Sequence, residues 1–156
     1  MKVGLTFILV LSFALISCGT DTGNPQTPAP NAAIGEHPHL NYTENLRHEI
    51  CQLLSNCLDQ VTYSLCSEQF GSLPNLHESL GLSSDFENYN EIIFAEKNKS
   101  LQPQSQPANL CLYNIKALSC DNVLVRNSYD EHHPIHPFFP VERLLAPICQ
   151  ESFDDQ

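Results

Sequence analysis

The stretch "LRHEICQLLSNCLDQV", residues 46–61, places Leu46, Ile50, Leu53, Leu54, Cys57, Leu58 and Val61 at three- and four-residue steps. That is the period of a helix with one buried stripe. Asn41, followed three residues later by Glu44, supplies a start signal of the capping-box type. Cys51 and Cys57 both lie on this segment, six residues apart. On a helix they stand about 9 Å apart along the axis, whereas bridged Cα atoms approach within about 7 Å, so the two cannot pair with each other.

Two further patterns repeat this periodicity. Phe86, Tyr89, Ile92, Ile93 and Phe94 follow Ser84 and Glu87, a second capping-box signal. A third helix is expected from Pro107 through Leu118, with Leu110, Cys111, Leu112, Ile115 and Leu118 as its apolar set and proline suited to the first turn. The breaks "GSLPN" (71–75) and "LQPQSQP" (101–107) separate these segments. No run alternates like a strand and no Asn-Gly hairpin turn occurs. The fold class is therefore all-α, a small helical domain with irregular loops.

Seven cysteines are present, and six of them, Cys51, Cys57, Cys66, Cys111, Cys120 and Cys149, fall in this region. An even set predicts three disulfides if the chain is exported, as its N-terminal segment implies below. No C-x-x-C offers a thioredoxin-like pair or a zinc knuckle. Cys111 and Cys120, nine residues apart, are held about 13.5 Å apart by a continuous helix and are excluded as a pair. Ten of the fifteen pairings remain open, and in each of them at least two bridges cross between elements.

The seventh cysteine, Cys18, ends a different kind of segment. After Lys2, residues Val3 to Ile16 are apolar apart from Gly4, Thr6 and Ser12. This run is shorter than the roughly 20 residues that a membrane-spanning helix needs, and reads as a signal peptide over residues 1–17. Its end, Leu15-Ile16-Ser17-Cys18, resembles the lipobox of bacterial lipoproteins. The resemblance implies cleavage before Cys18, diacylglycerol on its thiol and an acylated amino group. Two or three acyl chains hold a protein on a bilayer far more firmly than one. In that family an Asp directly after the cysteine favours the inner membrane; Gly19 stands here, which implies the outer membrane. An ordinary secretory leader or an uncleaved anchor would also export the chain. The layout of the later cysteines, with the helix "CLYNIKALSCD" (111–121) and a terminal "PIC" (147–149), is loosely similar to small cysteine-rich bacterial lipoproteins, a likeness that brings no functional residues with it.

Residues 18–35 form the lipidated cysteine and a tether, "GTDTGNPQTPAPNAAIG" from Gly19, rich in Gly, Pro, Thr and Asn and without an apolar period. Such a tether spans on the order of 20 to 25 Å. Residues 36–156 match one domain of ordinary size. Losing Lys2 with the leader leaves 6 basic against 18 acidic side chains, a formal charge of −12. That field repels a phosphate backbone and makes nucleic acid a poor partner.

Catalytic patterns are incomplete. The zinc-protease motif H-E-x-x-H needs a second histidine that neither His48-Glu49 nor His77-Glu78 supplies. His48 shares a polar helix face with Glu44 and Gln52 and is expected to be exposed. No G-x-S-x-G occurs. The segment Asp130-Glu131-His132-His133-Pro134-Ile135-His136 carries ligands that suit zinc, copper or nickel, but Pro134 and Pro137 prevent the helical spacing that would preset His132 and His136. A proline-stiffened surface loop is the default, with Phe138 and Phe139 expected to plug the core. The leading functional reading is a non-enzymatic, envelope-anchored binding or structural module with no cofactor beyond the lipid. A metal-binding lipoprotein using His132, His133 and His136 is the alternative, and an enzyme of unrecognised type the third.

Overall fold

The computed structural model describes residues 40–83 and 86–153. The helix predicted from the opening stretch is α1, Tyr42–Cys57, and it is the hub of the molecule: α2 (Tyr63–Phe70), α3 (Tyr89–Lys97), α4 (Ser105–Lys116) and the short α5 (Val123–Arg126) all pack against it. A sixth helix, α6 (Glu142–Cys149), packs against α4 and against 3₁₀ turns at Glu78–Leu80 and Phe139–Val141. Among the described residues there is no strand, only an isolated bridge between Pro103 and Phe153. The all-α, disulfide-stapled expectation is what the chain adopts.

Leu46, Ile50, Cys51 and Leu54 of α1 are wholly buried in a core whose largest members are Tyr42, Phe70, Tyr89 and Phe138. Leu58 and Val61 are buried as the period predicts, but outside the helix. Leu58 turns to an extended conformation, and Thr62 then starts α2 by accepting a hydrogen bond from the Leu65 amide at 3.2 Å. Apolar spacing reports burial; the cap decides where a helix ends and the next begins.

The expected Asn41–Glu44 capping box does not form: Asn41 sits at the N-cap with no side-chain bond. The Glu96 carboxylate of α3 takes that role, accepting the Tyr42 amide at 2.7 Å, the Thr43 amide at 2.9 Å and the Thr43 hydroxyl at 2.6 Å. Glu44 pairs instead with Lys97 at 2.8 Å. A carboxylate on the first amides of a helix both satisfies orphan donors and meets the positive end of the dipole. Glu96→Ala is expected to lower stability by about 1 to 2 kcal/mol, with Glu96→Gln closer to wild type, as read from denaturant midpoints.

Helix α3 begins at Asn88, whose side chain accepts from the Glu91 amide, while Glu91 Oε2 accepts from the Glu87 amide at 2.9 Å. The start signal thus operates four residues later than the Ser84–Glu87 reading, and Ser84 lies outside the described residues. Phe94 and Leu110, expected on buried faces, are 68% and 42% exposed. Helix α4 runs Ser105–Lys116 rather than 107–118, with Pro107 in its first turn, where its missing N–H is not needed.

Three disulfides join separate elements: Cys51–Cys66 ties α1 to α2, Cys57–Cys120 ties the end of α1 to the turn before α5, and Cys111–Cys149 ties α4 to α6. Neither excluded pair occurs. Two buried phenols lock the α1 start to the rest of the core. Tyr89 Oη donates to the Thr43 carbonyl at 2.7 Å, and Tyr42 Oη lies 2.6 Å from Ser152 Oγ and 3.1 Å from Cys111 Sγ.

Burial pushes both phenols well above the usual tyrosine range, with the Glu96 charge adding to the effect. In the unfolded chain they ionise near pH 10. Above that pH the folded state therefore holds more protons than the unfolded state, and stability falls as pH rises. With both phenols contributing, the slope is expected to approach about 2.7 kcal/mol per pH unit. Phenolate absorbance of Tyr42 and Tyr89 should then appear together with the loss of helical circular dichroism. Absorbance preceding unfolding would show that these hydroxyls are not sealed.

Candidate functional site

The histidine loop lies between two anchored cysteines. Cys120 is fixed to α1 through Cys57, and Cys149 to α4 through Cys111, so the whole segment between them is pinned at both ends. Asn122 caps α5 by accepting from the Leu124 amide at 2.8 Å, which buries Val125 and leaves Arg126 at the exposed helix end. Tyr129 then packs on the buried Phe138, ring centroids 4.9 Å apart. The Asp130 amide donates to the Pro137 carbonyl at 2.9 Å and closes the loop.

Within the loop the three histidines have different places. His132 is exposed, its amide donating to Asp130 Oδ1 at 3.0 Å. His133 is half-buried: its Nδ1 accepts from the Ile135 and His136 amides at 3.3 and 3.4 Å, and its ring stacks on Phe139 at 5.4 Å. His136 Nδ1 accepts from the Phe138 amide at 3.1 Å. In the neutral ring Nε2 then carries the hydrogen and donates to Ser72 Oγ at 3.3 Å, while Ser72 donates to the Gln69 carbonyl at 2.7 Å. Burial, and secondarily the nearby His133, hold the His136 imidazole below its ordinary range. Protonating Nδ1 would break the bond to Phe138, so this contact contributes above the histidine range and weakens as pH falls through it.

The structure thus spends the δ nitrogens of His133 and His136 on backbone amides rather than presenting them together. Among the described residues, no group of three or more His, Cys, Asp or Glu side chains is placed to hold a metal ion. His48, expected on an open face, is half-buried; its Nδ1 lies 2.7 Å from Tyr63 Oη and its ring packs edge-on against Tyr63. The helix α2, absent from the sequence reading, supplies that partner. Phe138 is fully buried as expected, whereas Phe139 is half-buried and serves as a wall. Cys18 lies outside the described residues.

What the loop builds is a cleft of about 650 Å³. Arg126 and Asn127 from the end of α5, Tyr129, Asp130 and His133 from the loop, Phe139 and Pro140 from the 3₁₀ turn before α6, and Glu142 and Arg143 from the start of α6 line it. This volume falls in the range of small-molecule sites, and the lining is mostly polar and charged, with the rings of Tyr129, His133 and Phe139 among it. A more open depression of about 720 Å³ runs between Glu78, Gly81, Gln104, Gln150, Glu151 and Phe153. It brings together only carboxylates, amides and apolar side chains, and so has less to recognise a ligand with.

Sequence reasoning found the loop but not the cleft, because the two arginines lie 17 positions apart on helices that the sequence reading did not assign. The period Val141, Leu144, Leu145, Ile148, Cys149 was the signal available for α6, and Pro147 in its last turn obscures it. No protein-family model, curated protein or solved structure matches this chain.

Proposed function

We propose that this chain is a lipid-anchored binding module of a bacterial cell envelope, exported, joined to lipid at Cys18 and acting by association rather than turnover. The observation that carries the reading is the cysteine pairing. Six of the seven cysteines are used in three cross-element bridges, which supports an oxidising compartment. Cys18 stands outside that set, at the end of Leu15-Ile16-Ser17-Cys18. A cysteine that none of the three described bridges uses, at the junction of an apolar leader and a polar tether, is suited to acylation. The outer membrane fits best, since Gly19 rather than Asp follows the cysteine.

Wild-type protein is expected to incorporate labelled palmitate and to partition into detergent, and Cys18→Ser to lose both properties. Inhibiting lipoprotein signal peptidase should accumulate the uncut precursor. An acyl-free wild type that is indifferent to the inhibitor would sink the anchoring reading.

A further inference from the structure

The geometry points to the Arg126–Arg143 cleft as a binding site for a small organic anion that carries a phosphate or carboxylate on a flat, apolar body. This deepens the binding-module reading above and rests on it for the setting, though not for the chemistry.

Arg126 and Arg143 are two of only three arginines in a chain with 18 acidic side chains. Six lysines and arginines lie among the described residues, and two of them pair with carboxylates there, Lys97 with Glu44 and Lys116 with Glu49. Neither cleft arginine does so: among the described residues no ion pair joins either guanidinium, although Asp130 and Glu142 line the same cleft. Asp130 is already engaged, its Oδ1 by the His132 amide. Two planar guanidinium forks, each able to grip an oxyanion with paired N–H groups, therefore stay available on one concavity.

The neighbouring wall supplies the second half of the specificity. His133 and Phe139 lie stacked, with an interplanar angle of 28°, and both line the cleft. The ring of His133 is held in place by two backbone amides through Nδ1, which leaves Nε2–H as a donor in the neutral form. Loop closure by the Asp130–Pro137 bond and by the Phe139 amide on the His136 carbonyl at 2.9 Å makes the wall preformed, so little ordering is left for binding. A flat ring suits this wall better than a lipid headgroup does. The long-range field of the acidic chain is largely screened beyond about 8 Å at physiological salt, so the local balance is between Arg126 and Arg143 and the carboxylates of Asp130 and Glu142 in the same lining.

The test is titration calorimetry on the full chain in detergent, with phenyl phosphate, inorganic phosphate and benzyl alcohol as probes. Phenyl phosphate is expected to bind with a Kd of about 1 mM or tighter, inorganic phosphate at least about tenfold more weakly, and benzyl alcohol not measurably. Arg126→Gln and Arg143→Gln should each weaken phenyl phosphate by about tenfold or more, as loss of a charge-assisted hydrogen bond implies. Phe139→Leu should narrow the gap between phenyl phosphate and phosphate. Unchanged circular dichroism in the arginine variants excludes misfolding. Phenyl phosphate binding that survives both arginine changes, or no binding by wild type, would overturn the site. Phosphatidylglycerol vesicles that displace phenyl phosphate in an Arg126-dependent way would assign the anion to lipid and overturn the small-ligand assignment. Because the assay needs no acyl chain, its failure leaves the lipid-anchor reading intact, and a missing acyl group leaves this result standing.

Discussion

Cys111→Ser is expected to lower the stability of the folded domain by about 2 to 5 kcal/mol, a large share of the roughly 5 to 15 kcal/mol typical of a domain. The bridge to Cys149 is buried, joins α4 to α6 across 38 residues, and among the described residues is the only disulfide that reaches α6. Its loss frees the unfolded chain and also removes a sulfur 3.1 Å from the buried Tyr42 hydroxyl. Loop side chains provide the contrast. His132→Ala should shift stability by less than about 0.5 kcal/mol, as for an exposed residue whose ring makes no bond. His133→Ala should cost more, because its ring accepts two backbone amides and stacks on Phe139. Chemical denaturation of the oxidised proteins makes the comparison. A silent Cys111→Ser would overturn the account of the cleft as a surface pinned from both ends, since α6 carries one of its walls.

Gly81→Ala is expected to destabilise by about 2 to 4 kcal/mol through two independent costs. Gly81 closes the Glu78–Leu80 turn with φ at +81°, a left-handed conformation that alanine adopts only at a penalty. An added Cβ there would also stand 1.9 Å from the Gln150 carbonyl oxygen, a backbone atom that cannot rotate away. The chain just after α6 must therefore move, and with it the contact between α6 and the Glu78–Leu80 turn. The effect should appear as a lowered midpoint together with faster exchange of the Gln104 amide, which donates to the Ser152 carbonyl at 2.9 Å. A variant of wild-type stability would mean that residues 150–153 are not held as the structure shows them.

These two positions mark the boundary between what was legible in the sequence and what was not. The periodic apolar set of residues 46–61 determined that α1 forms and which face it buries, and helical spacing alone excluded Cys51–Cys57 and Cys111–Cys120 as bridges. Local regularity suffices for such statements because hydrogen bonds and side-chain period act over three and four residues. The choice among the ten remaining pairings, the Glu96 cap on α1, and the meeting of Arg126 with Arg143 in one cleft belong to the tertiary structure. Each joins residues whose separation along the chain says nothing about their distance in space. Asn41 shows the physical reason most directly. Its local signal for a cap was present, yet a carboxylate 55 residues away reached two amides of the first turn and the Thr43 hydroxyl with three short hydrogen bonds, and the packing of α3 on α1 decided which of the two would cap the helix.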